Sequence, residues 1–240
     1  MIHVSYVTVL IPGWERAMLN LLLFLGSCAL IAGFAWYFWY LGQSALTAWI
    51  GILSLLANLF VLKQINLLGL NATASDVFAI GSLLGLNLLQ EKHGRQAAQQ
   101  AIWTSFSCLL FFALMSQVHL NYLPSTYDQA QEAYTFLLTP APRIMLSSLA
   151  TFLLVDLFDS RVYGILREKF PNISMIWVSG LTMCASQLID TVLFSFLGLY
   201  GVVQALSEII VVSYTIKLIA IANTVPWTFV TKRLFINVNK

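Results

Sequence analysis

Long apolar runs, each about the length needed to cross a bilayer as a helix, recur along the whole chain. Hydrocarbon offers no hydrogen-bond partners, so a spanning segment must satisfy its own backbone, as a helix or as part of a closed barrel. These runs are too long for barrel strands, which need roughly 9–11 residues. The sequence therefore predicts an all-α polytopic membrane protein with about six to seven transmembrane helices in one bundle. The runs cover residues 18–41, 45–67, 73–90, 98–118, 141–160, 173–199 and 202–224.

Composition indicates the same class and limits the partners. Of the 240 residues, 59% are apolar and 9% are charged, whereas soluble domains have about 45–50% apolar and about 25% charged residues. We therefore expect a lipid bilayer as the surroundings and a single transmembrane domain over residues 1–240. Within it, 18–41 is an extra N-terminal span ahead of a core at 45–233. The net charge of +2 is too small to indicate nucleic-acid binding.

Basic residues in the loops predict the orientation. Lysine and arginine occur in 92–95, in 161–169 and after residue 231, whereas 119–139 has none. The positive-inside rule places such loops in the cytoplasm, so we expect a multi-pass protein of the cell inner (plasma) membrane with a cytoplasmic C-terminus. If every run spans, the N-terminus lies outside. If 18–41 does not cross fully, the side of the N-terminus stays open.

The segment 143–159, RIMLSSLATFLLVDLFD, carries charges within an apolar run. A charged side chain in hydrocarbon costs about 2.5–3.5 kcal/mol on insertion scales. Asp156 and Asp159 are three residues apart, so they share one face of a helix. We expect this face to line a wet path enclosed by protein, because intramembrane ionisable residues commonly mark substrate or ion routes.

The rise of a helix gives the depth of two of these charges. At 1.5 Å per residue, Asp156 lies about 22 Å and Lys217 about 21 Å from the outer surface. We therefore expect an Asp156–Lys217 ion pair, with a separate outer cluster of Asp190, Glu208 and Arg143. In a purely structural alternative, buried ion pairs only fix helix register. The number of polar groups within the spans favours a substrate path, and these groups are Asn58, Asn87, Asp156, Asp159, Gln187, Asp190 and Lys217.

The run 73–90 is unusually rich in small and polar residues, among them Gly81, Ser82 and Gly85. Such residues allow neighbouring helices to approach closely, or they mark a local break in the helix. Both interpretations fit the sequence.

Catalytic motifs are missing from the sequence. His3, His93 and His119 lie in loops or at the ends of runs, where an intramembrane serine protease could not use them. The sequence contains neither the GxGD motif of membrane aspartyl proteases nor a Walker A motif. No spacing of histidine and cysteine suits a metal site. We therefore predict that the chain is not an enzyme and needs no cofactor.

Four segments of the sequence carry motifs that occur together, in the same order, in one family of membrane proteins. They are ANLFVLKQINLLGLNATASDVFAIGSLLGLNLLQEKHGR (57–95), RIMLSSLATFLLVDLFDSRVYGILR (143–167), SQLIDTVLF (186–194) and SYTIKLIAIANTVP (213–226). In this order they resemble the blocks of the queuosine precursor transporters, in the vitamin uptake transporter group. The resemblance covers roughly residues 46–233, and members of the family are commonly described with six spans.

The resemblance also implies which residues form the site. Two positions depart from the family pattern: Asn87 stands where an aspartate is usual, and Asp156 stands where a glutamine is common. The positions that agree with the family motifs are Asn58, Arg143, Asp159, Asp190 and Lys217.

The implied activity is uptake of a 7-deazaguanine for tRNA modification, either a precursor base or queuine. The edge of such a purine-like molecule carries N–H donors, which a carboxylate accepts in a bidentate way, and a carbonyl, to which an amide donates. Asp159 or Asp190, with Gln187 or Asn58, could supply these groups. Aromatic side chains that could stack on the flat base are Trp103, Trp177 and Tyr214.

Energy coupling and assembly stay open. An ion or proton gradient, metabolic trapping of the cargo or a separate motor would each serve, and a homodimer or an energising partner is compatible with the sequence. The alternative function is that of a substrate-capture subunit in an energy-coupling-factor vitamin importer. A third interpretation is a non-transporting assembly protein, in which Asp159 and Asp190 would serve the structure alone.

Overall fold

The computed structural model describes residues 13–67, 70–139, 142–201 and 206–238. It confirms the all-α membrane class: four helices are long and apolar enough to cross a membrane, or up to five if the bent pair Gln131–Leu138 and Arg143–Lys169 is one span. In chain order the elements are α1 (Gly13–Leu41), α2 (Gln43–Leu59), β1 (Gln64–Leu67), β2 (Leu70–Thr73), α3 (Asp76–Leu120), α4 (Gln131–Leu138), α5 (Pro142–Lys169), α6 (Met175–Phe194) with a π-helical turn (Ser195–Leu199), and α7 (Leu206–Val238).

The longest helix, α3, consists of two arms that meet at Gly94. This residue has φ 82° and ψ 173°, a backbone conformation that glycine adopts readily and other residues do not. Both arms lie against the same turn of α2. A Cβ on Gly85 in the first arm would be 3.0 Å from Ile50 Cγ1, and a Cβ on Gly51 would be 3.7 Å from Ser105 Oγ in the second arm. The chain therefore reverses direction at Gly94, and the arms correspond to two separate predicted spans.

Small residues in the first arm of α3 allow α1 and α2 to pack closely on it. A Cβ on Gly81 would lie 2.5 Å from Ile31 Cγ2 and 3.0 Å from Leu53 Cδ1. Beside it, the hydroxyls of Ser82 and Ser54 are hydrogen-bonded at 3.0 Å. The arm is helical throughout, so these residues serve close packing and the broken-helix interpretation is wrong.

We expect Gly81→Ala to lower the free energy of unfolding by about 1–3 kcal/mol, because an added methyl overpacks this contact. Helix propensity alone favours alanine by about 1 kcal/mol. A loss of stability in Gly81→Ala would therefore come from the steric clash of the added methyl. Gly26→Ala is the matched control, since nothing lies within 4 Å of a Cβ at that position. Thermal unfolding in detergent compares the two, and equal stability of both variants would contradict the prediction.

The segment between α2 and α3 differs from the predicted span at 45–67. The helix ends at Leu59, and the antiparallel hairpin of β1 and β2 follows. Lys63, Gln64 and Asn66 interrupt the apolar character of this stretch, and the hairpin pairs its backbone locally instead of extending the helix. The hairpin is tied to the start of α1, because Asn20 Nδ2 donates to the Asn66 carbonyl at 3.0 Å.

Helix α7 is also longer than predicted. The predicted run ends at residue 224, just before Pro226, but the helix continues through this proline to Val238. Proline is tolerated inside membrane helices, since neighbouring helices and Ser or Thr side chains satisfy the freed backbone groups.

Contacts between elements define two ends of the bundle. At the end that we call the basic end, Lys92 Nζ donates to the Trp39 carbonyl at 2.7 Å and lies 4.1 Å from the centre of the Trp39 ring. At the opposite end, which we call the hairpin end, β2 contacts α7 and Asn20 contacts the hairpin. Helices α3, α5, α6 and α7 pack together between these ends, and the buried polar groups lie among them.

Candidate substrate site

One face of α6 carries a line of buried polar residues. Ser179, Thr182 and Ser186 are three and four residues apart, so they lie above one another on the helix, and Asp190 continues the line. The first three are buried. Sequence reasoning identified Asp190 but missed Thr182 and Ser186, although their helical spacing was a usable signal.

Asp159 on α5 contacts this line of polar residues on α6. Its side chain is 0% exposed, and Ser186 Oγ donates to its Oδ1 at 2.6 Å. Thr182 and Asn87, from α6 and α3, also face the carboxylate. Asn87 Nδ2 lies 3.4 Å from Thr182 Oγ1. Three helices therefore surround one buried carboxylate with a hydroxyl donor already in place.

Lys217 on α7 forms an ion pair with Asp190 on α6. The predicted Asp156–Lys217 pair is therefore wrong. Depth along two helices does not fix which helix lies between them, and α6 packs against both α5 and α7 and brings Asp190 to the lysine. Asp76 at the start of α3, which the sequence reasoning did not select, is a further carboxylate within electrostatic range of this pair.

Asp156 lies between these two groups. It is 4% exposed, and the carboxylates of Asp159 and Asp190 repel a charge on it. The ammonium of Lys217, which could have compensated that charge, is engaged by Asp190. Asp156 is thus a buried acid in an environment that carries other negative charges.

Several buried acceptor atoms in this region have no hydrogen-bond donor in the described part of the chain. An unmade hydrogen bond at such an atom costs about 1–3 kcal/mol. Buried acceptors without a donor in the protein are satisfied by water, by a bound molecule or by added protons. The atoms are Asn87 Oδ1, Asp156 Oδ2, Asp159 Oδ2 and Gln187 Oε1.

A second polar group closes the basic end, and we call it the latch. It joins α3 to α5 through Gln90, Glu91, Ser160, Tyr163 and Arg167. Gln90 Nε2 donates to the Ser160 carbonyl at 2.9 Å, and Ser160 Oγ donates to Gln90 Oε1 at 2.6 Å. Arg167 holds Glu91 in a bidentate pair at 2.6 and 2.8 Å. The Tyr163 hydroxyl donates to the same carboxylate at 2.8 Å.

Comparison with known proteins decides the family. A family model described as "Putative vitamin uptake transporter" matches residues 73–231, which include α3, α5, α6 and most of α7. The chain belongs to this family. A relative from Bacillus subtilis, named "Probable queuosine precursor transporter", is 32% identical over 200 residues, which cover 82% of this chain and 87% of the relative. No solved structure matches the chain. This vitamin uptake transporter family member is a multi-pass membrane transport protein and not an enzyme.

In this transporter the structure gathers most of the residues that the sequence singled out. Asn87, Asp156, Asp159, Asp190 and Lys217 lie together among α3, α5, α6 and α7. Gln187 is buried on α6, three residues before Asp190. Their part in substrate binding stays a prediction.

Two predicted residues lie apart from this group. Asn58 accepts a hydrogen bond from Ser148 Oγ at 2.7 Å and donates to the Ser54 carbonyl at 2.9 Å. Arg143 is exposed, and its Nε donates to the Leu197 carbonyl at 2.8 Å. Because Asp190 pairs with Lys217 instead, the expected outer cluster around Arg143 is wrong.

The aromatic candidates of this transporter do not surround the carboxylates. Trp103 and Trp177 are 52% and 64% exposed, on the outside of the bundle, which favours a role in the membrane interface or in packing over stacking on cargo. Tyr214 is half-buried on α7, and its hydroxyl donates to the Cys184 carbonyl at 3.2 Å. It is the aromatic candidate that remains within the bundle.

Most side chains of the polar centre are buried in this transporter. Two grooves on its surface follow the outer face of the second arm of α3, where Trp103 lines both, and no charged or amide residue of the polar centre lines either of them. Within the described ranges, no group of three or more His, Cys, Asp or Glu side chains is placed to hold a metal ion. Because the Asp159 side chain is 0% exposed, access to it requires the helices to move.

Proposed function

We propose that the chain imports a queuosine-related 7-deazaguanine, either a precursor base or queuine, for tRNA modification. The observation that carries the proposal is the set of buried acceptor atoms around Asp159 that have no donor in the described protein. The name of the Bacillus subtilis relative and the family membership support the class of cargo.

The chemistry of a guanine edge fits these acceptors. Its ring N–H and exocyclic amine are adjacent donors, and a carboxylate accepts such a pair in a bidentate way. Asp159 Oδ2 has no donor among the described residues, and Oδ1, which accepts one hydrogen bond from Ser186, keeps a second lone pair, so both oxygens can accept from the base. The neighbouring Asn87 side chain has both an acceptor and a donor, so it can form hydrogen bonds with the groups of the base that lie next to its amine.

A route for the cargo follows the polar side chains through the bundle. We propose that the basic end faces the cytoplasm of the inner membrane, so that cargo enters from the hairpin end and leaves past the latch. In order from the hairpin end, the groups along this route are Asp76, Lys217, Asp190, Asp156, Asp159, Asn87 and the latch.

Rescue of tRNA modification tests the proposal. The chain is expressed in cells that can neither make queuosine nor take up its precursors, each candidate base is supplied at low concentration, and queuosine in tRNA is measured. We expect at least one base to restore the modification. Asp128→Asn, in an exposed loop, is the control variant and should rescue as well as the unaltered chain. Absence of rescue by any deazapurine, with the protein present in the membrane, would overturn the proposal.

Purified protein separates the two modes of transport. Uptake into liposomes that contain this chain alone supports an independent transporter. Capture of the base without uptake, together with co-purification of an ATPase pair, supports the substrate-capture subunit instead.

A further inference from the structure

Asp156 lies beside the carboxylate proposed to hold the cargo, and it is itself a buried acid. It is 4% exposed, and its Oδ2 has no hydrogen-bond partner among the described residues. A buried carboxylate is normally paired, hydrogen-bonded or uncharged, because burying an uncompensated charge is very costly. The environment of Asp156 therefore decides which of these applies.

Every charged group that acts on Asp156 disfavours its ionised form or is already engaged. Asp159, one turn away on α5, and Asp190, on the facing side of α6, both repel a negative charge there. On α7, Lys217 is held by Asp190. At the start of α3, Asp76 adds a further carboxylate to the same pair. The closed bundle thus accommodates Asp156 as a neutral acid.

We propose that Asp156 is the proton-binding group that couples import to a proton gradient. This inference rests on the proposed function and adds its energy source. A proton from the hairpin-end side binds Asp156 Oδ2 and forms an O–H bond, which removes the charge and lets the loaded bundle close. When the latch opens, water reaches Asp156, the O–H bond breaks, and the proton leaves with the cargo on the basic-end side.

Asp159 differs from Asp156 in a way that separates the two roles. Its Oδ1 is held by Ser186, and Thr182 and Asn87 face it, so polar groups surround its charge. Asp156 has no such set of partners. The two acids are one helical turn apart, so protonation of one and occupation of the other by cargo influence each other directly.

Transport by the full chain in liposomes tests the coupling. Radiolabelled queuine and the radiolabelled precursor base are supplied side by side, with the membrane potential clamped. Counterflow exchange is measured without a pH gradient, and accumulation is measured with the outside acidic. One proton per molecule predicts about tenfold accumulation for each pH unit, which is the equivalent of about 1.4 kcal/mol, and a protonophore should abolish it.

Asp156→Asn imitates the neutral acid permanently. We expect it to lose accumulation driven by the pH gradient, so that the ratio of accumulation to counterflow falls to the value that the unaltered chain shows with a protonophore, whatever the level of counterflow itself. Asp128→Asn is the surface control and should accumulate normally. If Asp156→Asn does not fold, Asp156→Gln takes its place, and the response of the unaltered chain to the gradient tests the coupling without any variant.

The outcomes distinguish the two proposals. Counterflow without any response to the pH gradient, or accumulation that persists in Asp156→Asn, would overturn proton coupling and leave the transport of deazapurines intact. Absence of counterflow for both bases would overturn the proposed function and this inference with it.

Discussion

Replacing Lys217 with methionine should abolish uptake and lower the free energy of unfolding by about 3 kcal/mol. The lysine is the one Lys or Arg side chain that is buried among those the structure describes, and it pairs with Asp190. Its removal leaves that carboxylate without a counter-charge, beside Asp76. The Asp190 side chain is 26% exposed, so water relieves part of the penalty and the loss stays near the lower end for a buried pair.

A double variant identifies the source of this loss. Asp190→Asn in the Lys217→Met background removes the orphaned charge and should restore most of the stability, measured as thermal unfolding in detergent. Lys63→Met, at an exposed position, is the control and should change little. Equal stability of the single and double variants would show that the pair is not the cause. If Asp156→Asn, and not Asp190→Asn, restored the stability of Lys217→Met, the partner of Lys217 would be Asp156, as helix depth predicted.

Asp159→Asn is expected to raise the substrate concentration for half-maximal uptake by about 10- to 100-fold. A hydrogen bond to a charged group contributes about 1.5–3 kcal/mol, and each 1.4 kcal/mol corresponds to about a factor of ten in affinity. An asparagine keeps one acceptor for Ser186 but cannot accept two adjacent N–H groups from the base.

Stability separates binding from a structural role for Asp159. No cation pairs with this carboxylate among the described side chains, so the neutral asparagine should leave the protein as stable as before or slightly more so. Ser186→Ala is the companion variant, and we expect a smaller rise in the half-saturation concentration because the carboxylate itself remains. Unchanged uptake kinetics in Asp159→Asn would refute its assignment to the cargo.

Much of the fold followed from the sequence, because bilayer thickness fixes how long an apolar run must be. The reversal at Gly94 and the helices on either side of it were predictable, since charged residues and a glycine mark an exit from hydrocarbon. The hairpin at 64–73 was not. It depends on pairing between two short strands, which the local apolar pattern does not distinguish from the end of a span.

The candidate site was predictable as a set of residues but not as a set of contacts. Burial of Asn87, Asp156 and Asp159 follows from their place within apolar runs, since an ionisable group there needs protein around it. The partner of Lys217 does not follow, because depth specifies a position along a helix and not the direction that a side chain faces. Thr182 and Ser186 were missed for another reason. Serine and threonine are common in membrane helices, so a single hydroxyl residue in an apolar run is not a specific signal of a binding site.

The latch has a consequence for how the bundle opens. Gln90 and Glu91 are consecutive on α3, and their five hydrogen bonds to α5 lie within about two helical turns of that helix. A slight tilt between the two helices cannot break some of these bonds and spare the rest. If cargo leaves past the latch, as proposed, we expect this end to be either shut or fully parted, and the cargo to move in discrete events without a graded leak.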